Sequence, residues 1–128
     1  MEGARTIVVD GVKLTLVEDF RELGRVLKAQ EAGGRWDVLA VDQYMTAEIS
    51  SFGGYIVLAL YAEIEADRIP EAAKGDPEVE VELGEGKLTL KYYARYEYTG
   101  GSALIAVVNR INKFRSLLSR VLLELRQP

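Results

Sequence analysis

Lys91 to Tyr98 reads KYYARYEY and sets four tyrosines beside a lysine and an arginine. Rings that stack on unpaired bases, next to cations that follow a phosphate backbone, are what binding of single-stranded nucleic acid requires, and no sequence-specific motif is needed for it. The seven tyrosines fall into two groups, Tyr44 to Tyr61 and Tyr92 to Tyr98. Loop position or strand parity can direct Tyr44, Phe52, Tyr55, Tyr61 and Tyr93 away from a core face. Lys91, Arg95, Arg110 and Lys113 are the cations that could join them. Tyrosine is also an ordinary strand former, and by parity half of Tyr92 to Tyr98 must face the core.

Other chemistry has less material. The chain contains no histidine and no cysteine, which removes the commonest general base, the commonest metal ligands and any thiolate nucleophile. Asp37 and Asp42 flank one strand on opposite faces. Glu63 with Glu65, and Glu78 with Glu80 and Glu82, read as solvated strand residues. No phosphate-binding loop, dinucleotide fingerprint or calcium-loop spacing is present. The expectation is a non-catalytic protein with no cofactor and no metal.

Charge is divided along the chain. Residues 1 to 86 hold 8 Lys/Arg against 18 Asp/Glu, while residues 87 to 128 hold 8 against 2. A basic C-terminal third hints at an anionic partner, although pairing of the two segments within the fold explains it as simply. Three Gln and two Asn beside 28% charged residues resemble the thermophile tendency to avoid thermolabile amides. Without an apolar leader or a membrane-length apolar run, the expectation is a soluble, cytoplasmic protein that meets no membrane.

The elements that must position these residues begin with TIVVDGVKLTLV, two alternating runs about Asp10-Gly11, a hairpin signal. Its apolar face holds Ile7, Val9, Val12 and Leu14. A helix follows, with Asp19 as N-cap, Glu22 three residues on, and Gly33-Gly34 at its end. WDVLAV is apolar on both sides and reads as an interior strand. Residues 42 to 54 read as a short helix or a mobile flap ending in a glycine pair. YIVLALYAEI is apolar on both faces, so both are expected to be covered. PEVEVELGEGKLTLKYYARYEY is a second hairpin about Glu85-Gly86, placing Leu83 opposite Leu88 and Glu80 opposite Lys91. The fold class is α+β: a small antiparallel sheet of two hairpins and central strands, with helices on one side and a long C-terminal amphipathic helix.

In that helix Leu104, Val107, Ile111, Phe114, Leu118, Val121 and Leu125 recur with spacing 3, 4, 3, 4, 3, 4, a heptad seam over three repeats. It predicts a core over residues 1 to 101 and, within the same single domain, an oligomerisation helix over 102 to 128, making a dimer or tetramer by coiled-coil contacts.

The order of these elements, from TIVVDGVKLTLV through WDVLAVD and YIVLALYAEI to KYYARYEY and LIAVVNRINKFRSLLSRVLLEL, resembles that of ThermoDBP and its related proteins, single-stranded DNA-binding proteins of thermophilic archaea. The likeness is one of layout over nearly the whole chain and carries no site residue across. It implies a small antiparallel sheet with helices enclosing a cleft for bases, and assembly through the C-terminal helix. This chain departs from it in being acidic overall. The expectation is therefore a binder of single-stranded nucleic acid, DNA first, in an aromatic cleft. The alternative is a structural or adaptor protein assembled through its last helix.

Overall fold

Strict alternation of apolar and polar positions builds most of the structure. The computed structural model describes residues 4–9, 12–18, 20–30, 36–41, 43–97 and 101–127. Its strands are β1 (Ala4–Val9), β2 (Val12–Val17), β3 (Trp36–Val41), β4 (Met45–Phe52), β5 (Tyr55–Glu65), β6 (Glu80–Gly84) and β7 (Lys87–Glu97). Two helices, α1 (Phe20–Gln30) and α2 (Gly101–Leu125), complete it with a 3-10 turn at Glu71–Lys74. The strands form one seven-stranded sheet in the order β1-β2-β3-β4-β5-β7-β6.

This sheet is larger than the expected one and is mixed. β2 and β3 run parallel because α1 carries the chain back over the sheet between them. Every other neighbouring pair is antiparallel. β1 pairs β2 with Val9 opposite Val12 and Ile7 opposite Leu14, while the turn at Asp10 and Gly11 lies outside the described residues, as do Asp19, Gly33 and Gly34. The stretch read as a helix or flap is instead β4, an interior strand between β3 and β5. Met45, Ala47 and Ile49 point inward and are buried, whereas Thr46, Glu48 and Ser50 point outward. Gly53 and Gly54, with φ of 57° and 83°, make the two-residue turn into β5. Glu85 and Gly86 do the same between β6 and β7 with φ of 56° and 77°. Paired positive φ values match the twist of the flanking strands, and at three of these four positions only glycine adopts them without strain.

Both helices pack on one face of the sheet. Val17, Trp36, Val38, Ala40, Ile56, Leu58, Leu60, Leu88 and Leu90 lie on that inner face in one buried cluster with Leu23, Val26 and Leu27 of α1. No described helix covers the outer face. The expectation that both faces of YIVLALYAEI are covered fails here: Tyr55, Val57 and Ala59 are only half-buried, and Tyr61 is exposed.

The heptad seam serves this inner face. Leu104, Val107, Ile111, Phe114, Leu118 and Val121 are all buried within the single chain, and Leu125 packs partly buried against the same cluster. The seam therefore needs no second copy to hide it. A 25-residue amphipathic helix closing its own sheet is enough. Leu117, off the seam, is also fully buried, and so widens the stripe to suit a sheet. The segment between β5 and β6 is tied to the far end of α2: the Ala72 amide donates to Glu124 Oε1 at 3.2 Å, and Arg68 donates to the Glu124 carbonyl at 3.1 Å. Where this segment turns back, Gly75 leaves room that a side chain would lack, since a Cβ there would meet the Ala72 carbonyl oxygen at 3.2 Å. No described helix is long and apolar enough to cross a membrane.

Because the seam lies in the core, Ile111→Glu combined with Leu118→Glu is predicted to abolish the cooperative thermal unfolding transition. A double variant that stays folded, and only drops from an oligomer to a monomer in light scattering, would return the seam to an intermolecular interface.

Candidate functional site

Parity places five of the nine sequence-predicted site residues on the uncovered outer face. Tyr55 and Tyr61 point outward from β5, and Lys91, Tyr93 and Arg95 from the adjacent β7. The register sets Tyr61 opposite Lys91 and Ala59 opposite Tyr93, so the tyrosine rings stand diagonally across the strand pair with only a methyl group and an ammonium stem between them. Tyr61, Tyr93, Ala59 and Lys91, with Glu78 and Glu80 at the side, line a half-open groove of about 480 Å³. Tyr93 is 70% exposed. It offers a free ring face.

The other rings are held. Tyr61 donates its hydroxyl to Glu63 Oε2 at 2.8 Å, and Lys87 Nζ reaches the other oxygen of the same carboxylate at 2.8 Å. Lys87, then Tyr61, hold the Glu63 carboxyl below its usual range, and the same contact raises the Tyr61 hydroxyl. The ring of Tyr61 is thus oriented before any ligand arrives. Tyr55 is half-buried, with the Arg95 guanidinium 4.7 Å from its centroid. This cation and ring occupy each other. A base would have to displace Arg95 or stack upon it.

Three predicted residues fall elsewhere, and a fourth, Phe52, has no described side chain. Tyr44 precedes β4 and packs, half-buried, against the core. Phe52 pairs through its backbone with Tyr55, but its side chain lies outside the described residues. Lys113 is 61% exposed on α2, a helix packed against the opposite side of the sheet. Arg110 is not a surface cation at all. It is buried, with Nη1 2.7 Å from Asp76 Oδ2 and its guanidinium 3.9 Å above the Tyr92 ring. An amphipathic pattern cannot distinguish such an arginine from a solvated one, because its partner Asp76 is 34 positions away.

Around Arg110 the core is polar. Burial opposes the charge on Asp76, but Arg110, the Glu78 amide donating to Oδ1 at 3.0 Å, and Lys113 more than offset it, so the carboxyl is held below its ordinary range. The close contact has the distance of an ion pair without good hydrogen-bond angles, and all three guanidinium nitrogens lack a hydrogen-bond partner among the described residues. Tyr92 and Tyr96 share a 3.0 Å hydroxyl contact beside this pair, and burial followed by that contact pushes the Tyr96 hydroxyl up.

Sequence reasoning treated Glu78 and Glu80 as solvated and missed them as groove walls. Glu80 was within reach of it, standing opposite Lys91 in the hairpin register. Glu63 and Lys87 as the clamp on Tyr61 were not, because their meeting depends on β5 pairing with β7 across 21 intervening residues. Among the described strand residues the outer face carries four cations, Arg5, Lys87, Lys91 and Arg95, against seven carboxylates, Asp37, Glu48, Glu63, Glu65, Glu80, Glu82 and Glu97, and Glu78 adds another at the groove. Such a face does not concentrate phosphates; its binding capacity lies in rings and apolar area. Among the described residues no group of three or more carboxylates is placed to hold a metal ion. The apolar half of this face includes Ile7 and Val9 of β1, each more than half exposed.

No family model, no curated protein and no solved structure matches this chain.

The buried ion pair generates a test of stability. Arg110→Ala strands a buried carboxylate and is predicted to cost about 3–5 kcal/mol in chemical denaturation. Asp76 is depressed in the fold, so its contribution is complete above its unfolded pKa of about 3.9 and is lost as pH falls through the lower folded value. Stability of the unmodified protein should therefore drop more steeply below about pH 4 than that of Asp76→Asn.

Proposed function

We propose that this chain is a non-catalytic binding protein for single-stranded nucleic acid, holding bases in the groove between Tyr61 and Tyr93 on the outer face of the sheet. The observation that carries the reading is the convergence of these two rings about Lys91 on a sheet face that no described helix covers. A flat base fits between rings in a groove of this volume, and stacking is open only to unpaired bases. Lys91 and Arg95 lie on the same strand and supply two cations for the backbone. Glu78 and Glu80 can only accept hydrogen bonds when ionised, so they favour bases that carry an exocyclic amino group over uracil or thymine. The reading rests on this groove, and DNA is placed before RNA only on the resemblance of layout.

The second reading is an adaptor that binds a protein partner, which includes another copy of this chain. What favours it is the exposure of Ile7 and Val9 on the same face, together with the excess of carboxylates there. It no longer needs the C-terminal helix as its contact.

Fluorescence anisotropy with labelled oligonucleotides tests the first reading. Single strands should bind more tightly than duplex. Tyr93→Ala and Tyr61→Ala should each weaken binding by about 1–3 kcal/mol, and Lys113→Ala should leave it unchanged. With two cations in reach, the salt dependence should correspond to a slope of roughly −1.4 in a double-logarithmic plot. Absence of binding by either strand type at low salt would remove the nucleic-acid reading and leave the adaptor.

A further inference from the structure

The helix side of the molecule holds a second concavity, separate from the tyrosine groove. Gly24, Leu27 and Lys28 of α1 face Leu104, Val108 and Asn109 of α2 across a half-open groove of about 370 Å³. Its walls are mainly apolar. Ile105 stands on its rim with 62% of its surface exposed, a large aliphatic side chain left in water where the two helices diverge.

Gly24 is the unexplained residue. It sits inside α1, one position after the buried Leu23, where glycine is less stable than alanine by about 0.5–1 kcal/mol. Glycine is usual in such a place when a backbone approaches closely or φ is positive. Neither holds: a Cβ built at Gly24 meets nothing within 4 Å, and its φ is not positive. Helix packing therefore has no need of it. Its effect is to leave the α1 wall of the groove open, because any side chain there would stand in the space between the helices.

Polar groups at this groove are few. Among the described residues that line it, Lys28 is the one that carries a charge, and it pairs with no described carboxylate. Asn109 adds an amide. In a chain of net charge −4, an anionic group would be drawn here by this local ammonium and not by the overall field. The volume lies near the lower end of the roughly 300–1,000 Å³ usual for small-molecule sites, which suits one short aliphatic tail and excludes a two-tailed lipid.

We propose that this groove is a binding site for a medium-chain aliphatic carboxylate, its carboxylate at Lys28 and its tail laid between Leu27, Leu104 and Val108 and over the open position at Gly24. The tail covers Ile105, which solvent otherwise surrounds. The two ends of the ligand are fixed by two different features, apolar volume and a single cation. A neutral molecule of the same length loses the second.

Decanoate, kept below its micelle concentration and titrated into the full chain by calorimetry, is the probe. One molecule should bind per chain, and decanol should bind about fivefold more weakly, as for a partly exposed ion pair. Lys28→Ala should weaken decanoate by the same factor and leave decanol unchanged. Gly24→Leu should keep or raise the thermal midpoint, since leucine is the better helix former, and should abolish binding of both. Absence of heat with decanoate, or binding that survives Gly24→Leu in a folded protein, overturns the proposal. So does a dimer in light scattering that Ile105→Glu splits and that decanoate does not affect, because the groove then belongs to a second copy.

Discussion

Two helices can cover only one face of a seven-stranded sheet, and the burial of α2's apolar stripe on that face is the contact on which the rest of the molecule depends. Phe114 is the largest fully buried side chain of the core and stands midway along the stripe, with Ile111 and Leu117 about one turn to either side. Residues separated by three and four positions share a helix face, so these side chains enter the core together. The inner face meets α2 with Ile56, Leu58, Leu60, Leu88 and Leu90, all 2% exposed or less. Burying an aliphatic side chain contributes about 1.5–3 kcal/mol, so this one interface carries much of the favourable energy of the fold. It also dictates where ligands can go. The inner face is filled, and what remains are the bare outer face and the clefts beside the helices.

The Asp76–Arg110 pair works differently from the apolar stripe. Replacing a buried ion pair with well-packed apolar residues is often neutral or stabilising, so its presence is weak evidence for stability. Its geometry joins three parts of the chain: the turn leading into β6 through Asp76, α2 through Arg110, and β7 through the ring of Tyr92. An apolar contact tolerates sliding by a fraction of a turn. A guanidinium stacked on a ring at 3.9 Å and paired at 2.7 Å does not, so the pair sets the axial position of α2 against the end of the sheet. Glu78, which lines the tyrosine groove, donates its amide to the same Asp76. The groove wall and the core are thus fixed by one carboxylate.

Local pattern made part of this legible. The period of two in β5 and β7 told which tyrosines face outward, and the Glu85-Gly86 turn determined that Glu80 stands beside Lys91. The long terminal helix was legible as an element but its contacts were not, because a heptad stripe is equally suited to a partner helix and to the chain's own sheet; periodicity describes a face and not what covers it. β4 was missed for a related reason. MTAEIS alternates strictly, but alanine and serine leave so little contrast between its two sides that the glycine pair after it does not stand out as a hairpin turn. Arg110, Asp76, Glu63 and Lys87 find their partners over long sequence separations, and such meetings are products of topology that no local spacing announces.

The charge of the outer face narrows how any ligand can bind there. With more carboxylates than cations, long-range attraction does not steer a polyanion to this surface, so in the proposed binding charge adds little to association and affinity must come from slow release. Slow release in turn requires contacts that form only once a base has entered between the rings. Tyr61 is already oriented by Glu63 and Lys87, which lowers the entropy lost on capture. Tyr93, 70% exposed and held by no described hydrogen bond, is the ring that in the proposed binding would close over the base and lose its freedom in doing so. A duplex presents phosphates to this acid-rich face and no ring faces to Tyr93, and it is disfavoured on both counts. The same carboxylates that make the surface a poor one for phosphate are thus what would make it selective for exposed bases.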